Sequence, residues 1–415
     1  MSKVIKCDIA IVGAGIAGIC AAVSAGRTGC KVVLVESFHY VGGMATGGMV
    51  SPFMKYDIDG KPLVEGVFKE LQDRMKAKGG MIDNGFSADI FRETANEMLS
   101  EAGIDLLLNS TLIEVRHDSI KIKELLIESE EGSISLQADQ FIDTSGDAVL
   151  TYLADAPFEL AEEQQALTLF FKMKNIDLEK AIAYVKEQPS DFFPWSTKDY
   201  DPGHIVSVAG YFSHIKKAKE EVRISEAVQY IFFCSLPEHG TASFNCVNLL
   251  GYDGTKPKDI EAAYLEGRTQ IADIVRILKI IPGFEHAELA KVADRVGIRE
   301  TRRVIGDYVV NGDDIRKHHK FEDAIAKGCY GIDIHGQKEN KSVMEELPEG
   351  EYYEIPKRAL FVKGLANLQA AGRCISSTRE GQAALRIMPT CAATGEAAGE
   401  IAAKAIKENK TIREV

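Results

Sequence analysis

The sequence predicts an α/β protein: a parallel sheet flanked by helices, built from two separated stretches of chain, with an α+β domain inserted between them. Three observations carry this. The first 36 residues read strand, glycine turn, helix, strand. Residues from about 155 to 350 change character to alternating strands and long amphipathic helices. Near residue 367 the buried-strand pattern returns and an Ala-rich helix follows. At 415 residues the chain exceeds what one hydrophobic core usually supports. The expected division is 1–154 with 355–415 as one discontinuous domain, and 155–354 as the insertion.

Val4 to Val12 is almost continuously apolar, as a strand buried on both faces of a parallel sheet requires. Ile16 to Thr28 is rich in Ala and reads as a helix, and Lys31 to Glu36 reads as the second strand. Residues 40–54 are glycine-rich and weakly periodic. Helices are expected at 63–78 and 88–102, the second with an apolar face at Ile90, Phe91, Ala95, Met98 and Leu99. Short strands are expected at 104–109, 111–116, 121–129, 133–137 and 139–144. In the insertion, strands fit 166–174, 204–209, 228–235, 241–248 and 305–310. A helix over 257–280 opens on Pro257, whose fixed dihedral suits a first turn. Residues 367–372 and 389–407 read as a buried strand and a helix.

Composition narrows the function. Hydrophobic residues at 45% and charged residues at 27% are ordinary for a globular protein. A formal charge of -13 with scattered basic residues argues against nucleic acid or anionic membrane as a partner. The eight cysteines show no two-residue spacing for a metal or redox pair, which predicts reduced thiols and a cytoplasmic setting. The uncharged run 9–26 is broken by Gly13, Gly15 and Gly18 and leads straight into a strand, so it predicts a buried βα unit rather than a membrane span.

Gly13-Ala14-Gly15-Ile16-Ala17-Gly18 is a GxGxxG turn between strand and helix. Gly13 permits the tight turn, Gly15 lets backbone approach a pyrophosphate, and Gly18 allows close helix–strand packing. The helix N-terminus favours phosphate charge. Glu36, followed by Ser37, stands 18 residues beyond Gly18, near the offset of ~20 for an acid that holds ribose hydroxyls. This is a Rossmann-type dinucleotide site. A plain NAD-dependent dehydrogenase satisfies this motif equally.

Three later segments separate the candidates: Gly42-Gly43-Met44-Ala45-Thr46-Gly47-Gly48, Thr144-Ser145-Gly146-Asp147 after the strand 139–144, and Gly372-Arg373 with Arg386-Ile387-Met388-Pro389-Thr390. With these the chain resembles the FAD-dependent oxidoreductases of the glutathione-reductase-like superfamily, in the branch related to fumarate reductase and succinate dehydrogenase flavoproteins. The resemblance spans about 1–150 and 295–415. It implies FAD as cofactor. It places the glycine loop (Gly42, Gly43, Met44, Thr46) beside the flavin, Thr144 to Asp147 on the adenosine side, and the backbone of Val115 on the adenine. It gives Gly372, Arg373, Arg386, Pro389 and Thr390 to the C-terminal flavin contact. Aligned on that loop, the covalent-link position of succinate dehydrogenases falls near Met44, so the FAD is expected to be non-covalent. His39 then reads as an exposed loop residue.

For catalysis the candidates are Arg299, Arg302 and Arg386, which suit carboxylate or proton-donor roles, and His335, which suits proton transfer near neutral pH. If 297–305 is a strand, Arg299, Thr301 and Arg303 share one face, and Glu300 and Arg302 the other. Each also fits an ordinary ion pair or a polar surface residue. Ser376, Ser377 and Thr378 are candidate cavity residues. His239 and Tyr353 are weaker candidates, and His318-His319 reads as solvated on a charged helix. No second GxGxxG opens a NADPH domain, and no cysteine cluster suits an iron–sulfur centre.

The expected activity is hydride transfer between a small organic substrate and FAD. The alternatives are a flavin monooxygenase using NAD(P)H and oxygen, and a flavin-dependent sensor. Expected partners are a small-molecule substrate and an electron donor or acceptor that the sequence does not identify, with a homo-oligomer left open.

Overall fold

The stretch read as one strand from Val4 to Val12 is two strands in two different sheets in the computed structural model, which describes residues 3–222, 224–336 and 342–415. Lys3–Lys6 pairs parallel with Gly132–Gln137 at the edge of a four-stranded sheet. Ile9–Val12 lies at the centre of a five-stranded parallel sheet, ordered Leu368–Ala370, Gln140–Asp143, Ile9–Val12, Val32–Val35, Asp105–Leu107. The break falls at Asp8, whose carboxylate accepts the Lys31 N–H at 2.6 Å and fixes where pairing with the next strand begins.

Strand alternation assigns the two faces of the parallel sheet. Ile9, Ile11, Val32 and Leu34 enter the core shared with the helices. Ala10, Val12, Val33 and Val35 enter a second core under the four-stranded sheet. The helix Ile16–Arg27 packs along Met388–Glu408, and small residues set how closely. A Cβ on Gly395 would stand 2.1 Å from the Ala17 carbonyl oxygen, and one on Gly399 2.3 Å from that of Ala21. The helices expected at 63–78 and 88–102 are Gly66–Ala77 and Ala88–Glu101.

A third core is built around a five-stranded antiparallel sheet, ordered Ser207–Gly210, Ile231–Ser235, Ala242–Phe244, Phe171–Lys174, Glu288–Val292. One face carries Phe171, Phe233 and Phe244 against the helix Pro257–Leu278 and Phe284. The other face turns Lys172, Ser243 and Lys291 toward the Thr46–Ser51 loop and the start of the Ala88–Glu101 helix, so it roofs the glycine-rich loop. This core draws on 167–298 and Met49. Residues Val310, Ile315, Ala326, Ile332, Tyr353 and Ile355 pack instead in the first core. They lie inside the expected insertion, but the Ala324–Gly328/Tyr353–Pro356 hairpin docks on the Met388–Glu408 helix.

Three local expectations are corrected. Residues 297–305 do not form a continuous strand: Arg303–Val304 pairs with Phe158–Glu159, and Gly297 makes an isolated bridge with Thr168. Residues 305–310 make isolated bridges at Gly306 and Val310 rather than a strand. His318 and His319 follow the five-residue helix Gly312–Arg316 rather than riding on it, and His319 stacks on Phe321 at 4.3 Å. Among the described residues no helix is long and apolar enough to cross a membrane.

Candidate active site

The glycine turn shapes part of the wall of a cavity of ≈ 270 Å³. Gly13 has φ +101°, a region closed to most side chains, and its amide donates to the Val35 carbonyl at 2.8 Å. A Cβ on Gly18 would stand 1.9 Å from the Gly13 carbonyl oxygen, so the helix meets the turn in contact. At Gly15 an added Cβ meets nothing within 4 Å, because it would project into the cavity. No side chain caps the Ile16–Arg27 helix, which leaves its first N–H groups for a ligand. The buried Glu36 carboxylate accepts the amides of Ala14 (2.8 Å) and Phe38 (3.1 Å) and the Ser37 hydroxyl (3.2 Å). Sheet register therefore places the acid beside the turn.

The second strand-turn lies against the first, with the Thr144 hydroxyl donating to the Gly13 carbonyl at 2.7 Å. Asp143, fully buried, accepts from Ser145 and Thr151 through both backbone and side chain and fixes the loop 144–147; burial nevertheless raises its pKa. Asp147 accepts from Arg373 at 2.6 Å and from the Thr301 hydroxyl at 2.7 Å. Arg373 Nη1 is buried without a hydrogen-bond partner.

Of the cofactor residues expected from sequence, the lining takes in Gly13, Gly15, Ile16, Ala17, Glu36, Ser37, Gly42, Gly43, Met44, Thr144, Ser145, Gly146, Asp147, Gly372, Arg373 and Arg386. Five stand behind it. Gly18 packs on Gly13, and the Thr46 hydroxyl is turned to the Val41 carbonyl at 2.6 Å. The Val115 side chain is in the core beneath the four-stranded sheet, and Ser110, just before the same strand, lines the cavity with Thr111 and Leu112 at its start. Pro389 and Thr390 are buried in the first turn of Met388–Glu408, while Met388 and Cys391, three residues apart on one helix face, line the wall. That spacing was a readable signal. Arg295, also in the lining, gave none; its guanidinium lies 4.1 Å from the centroid of the Phe38 ring.

At the Arg386 end the cavity borders a buried polar cluster. Asp333 accepts from Arg386 Nη2 (3.0 Å), the Tyr330 hydroxyl (3.0 Å) and His335 Nε2 (3.3 Å). Arg386 also donates to the Asp333 carbonyl, and its Nε is buried without a partner. Arg299, 8% exposed, donates to the Ala166 carbonyl at 2.5 Å. The Ala166 amide in turn donates to the His335 carbonyl at 3.0 Å, so one segment positions both side chains.

Charges follow from this packing. Burial opposes ionisation of Asp333, but its bond to His335 and the charge of Arg386 hold its carboxyl well below the usual range. Burial, then Arg299, brings His335 down to about 4, so the imidazole is neutral at pH 7. An ionised carboxylate only accepts, which puts the proton on Nε2 and leaves Nδ1, 3.0 Å from the Ser342 hydroxyl, as the basic nitrogen. Burial and the neighbouring Arg386 bring Arg299 down to about 10, still a cation. The cluster thus holds two guanidinium groups against one carboxylate.

The remaining candidates lie elsewhere. Arg302 stands apart from the cluster, its guanidinium 4.3 Å from the Tyr152 ring centroid and donating to the Asp147 carbonyl at 3.3 Å. Because 297–305 is not a strand, Glu300 and Arg303 meet at 2.5 Å rather than facing apart. Tyr353 is fully buried and donates to the Ala384 carbonyl at 3.2 Å, a packing role. The Ser376 hydroxyl donates to the Tyr308 carbonyl, and the Thr378 hydroxyl caps the Arg379–Leu385 helix. His239 and His39 are exposed.

Residues 8–415 match the family model described as FAD dependent oxidoreductase. The chain belongs to that family. Its cofactor is therefore FAD, and the protein is an oxidoreductase enzyme. No curated protein sequence matches the chain. Among solved structures it is similar to a geranylgeranyl bacteriochlorophyll reductase-like protein from Thermoplasma acidophilum, at 13% identity and TM-score 0.53, over 98% of this chain and 80% of that one. It is also similar to a flavoprotein/dehydrogenase from Cytophaga hutchinsonii, at 15% identity and TM-score 0.49, over 98% and 80%. A p-nitrophenol 4-monooxygenase from Pseudomonas putida is similar at 12% identity and TM-score 0.47, over 99% and 82%. At these identities the first of the three supports the fold alone.

The cavity fits FAD on its own terms. The uncapped helix start and the open face of Gly15 suit a pyrophosphate, Glu36 and Ser37 suit ribose, and the unpartnered Arg373 Nη1 points to a ligand with acceptor oxygens.

Proposed function

We propose that this flavoprotein transfers a hydride between a carbon of a small organic substrate and non-covalently held FAD. The substrate would lie between the cofactor and the antiparallel sheet. The observation that carries the reading is that Arg386 belongs both to the cofactor cavity and to the buried Asp333–His335 cluster. Bound FAD supplies two-electron chemistry; the chain must position the substrate and move one proton. His335, neutral and with its tautomer set by Asp333, takes or returns that proton at Nδ1. Arg299 and Arg386 stabilise negative charge that develops beside them. The first turn of Met388–Glu408 adds its dipole at the same end. Arg302, turned toward Tyr152, has no part in this scheme. The finer placement, beside the fumarate reductase and succinate dehydrogenase flavoproteins, rests on the glycine loop and the C-terminal arginine segment.

The test is anaerobic bleaching of the visible flavin band by candidate substrates. His335→Asn should keep its bound FAD and lose substrate-driven bleaching. Full bleaching rates in that variant would sink the proton-transfer assignment. Oxygen consumption driven by NADPH and stimulated by substrate would replace hydride transfer with the monooxygenase reading.

A further inference from the structure

The polar cluster is bordered by an aromatic surface that the hydride reading leaves unused. In the strand Ile231–Ser235, Ile231 and Phe233 point into the core, so Phe232 faces the opposite way, as does Tyr230 just before the strand. Tyr230 meets the Phe193 ring edge-on at 5.3 Å, Phe193 stacks with Trp195 at 5.9 Å, and Trp195 meets Phe232 at 5.9 Å. Trp195 is 59% exposed, an unusual cost for an indole held in a ring ladder. The inner end of the ladder reaches the cluster: the hydroxyl of Tyr230 lies in the fields of Arg299 and Asp333. The backbone shows the same adjacency. Phe232 accepts the Asn245 amide, and the Asn245 side chain accepts from Thr168, two residues beyond the Ala166 that holds Arg299. An apolar strip open to solvent therefore runs into a buried site with an excess of positive charge.

We propose that the substrate is an amphipathic organic acid: its carboxylate is held by Arg299 and Arg386, and its extended apolar body lies along Tyr230, Phe193, Phe232 and Trp195. The inference rests on the hydride reading for the identity of the site, and it adds the substrate class. A carboxylate would supply the negative charge that the two guanidinium groups and the unpartnered Arg386 Nε call for. The ladder would cover a chain or ring system that the polar cluster cannot solvate.

Trp195 is the only tryptophan in the chain, so its fluorescence reports occupancy of the strip without any turnover. The FAD-loaded protein is titrated with butanoate, hexanoate, octanoate and decanoate, each below its micellar concentration, and with decanamide. Affinity should tighten about two- to fourfold per added methylene, fourfold being the limit for full burial, and decanamide should bind at least about tenfold more weakly than decanoate. Phe232→Ala should flatten the length dependence, and Arg299→Ala should bring acid and amide together. Equal affinity along the series, or equal affinity of amide and acid, overturns the proposal. The two readings fail separately. Length- and charge-dependent quenching in a protein whose flavin no substrate bleaches keeps the acid site and removes hydride transfer. Bleaching confined to short uncharged substrates keeps hydride transfer and overturns the acid.

Discussion

The cofactor cavity and the Asp333 cluster adjoin at Arg386, yet they are built in opposite ways. The cavity is made chiefly of main chain: glycines at 13, 15, 42, 43, 146 and 372, an uncapped helix start and two strand-turns, each a contiguous run of sequence. The cluster is made of side chains from segments far apart: Arg299, Tyr330 with Asp333 and His335, and Arg386. A site of the first kind tolerates side-chain change and fails when backbone geometry changes. A site of the second kind fails when one charge is removed.

The largest effect should come from the glycine turn. Gly18→Val should give no folded protein, because its Cβ alone would stand 1.9 Å from the Gly13 carbonyl oxygen, whereas Gly15→Val should fold and lose the flavin band. Circular dichroism melting beside visible spectra separates the two, and a yellow Gly15→Val protein would break the comparison. Next, His335→Asn should lower turnover by about 10² to 10⁴ with the flavin spectrum unchanged, the usual worth of a positioned proton-transfer group.

Asp333→Asn should cost stability as well as activity, by about 3 kcal/mol in urea unfolding, because two guanidinium groups would stay in place without their carboxylate. A smaller effect is linked to pH. His335 titrates at about 4 in the folded state, below its ordinary 6.5, so its contribution is fully present above pH 6.5 and is lost as pH falls toward 4. Unfolding free energy should drop over that window by at most about 3 kcal/mol, and His335→Asn should remove that part of the slope. Smallest of all, His39→Ala should change nothing: the residue is exposed, and acid precipitation should release all of the flavin from both proteins.

The same contrast explains what the sequence made legible. GxGxxG at 13–18, Glu36, the loop at 42–44 and the turn at 144–147 all reach the cavity because the chemistry needs backbone at short, fixed spacings. Val115, Pro389 and Thr390 stand in the elements assigned to them with their side chains buried behind the cavity lining, since motif spacing fixes an element and not its rotation. Arg302 does not join Arg299 in the cluster. Alternation within 297–305 required a strand, and without one Arg299 enters the cluster while Arg302 stacks on Tyr152.

By itself the sequence determined the dinucleotide turn and the parallel sheet with its two-faced burial, which depend on local order along the chain; FAD entered through the family resemblance that the three later segments carry. Only the tertiary structure decided that Arg386 and Asp333 pair, that His335 is neutral, that Arg295 lines the cavity and that Tyr230, Phe193, Trp195 and Phe232 form an aromatic ladder. Those are contacts between segments far apart in the chain, 53 residues for Arg386 and Asp333, and no periodicity in the chain encodes which charge will be buried beside which.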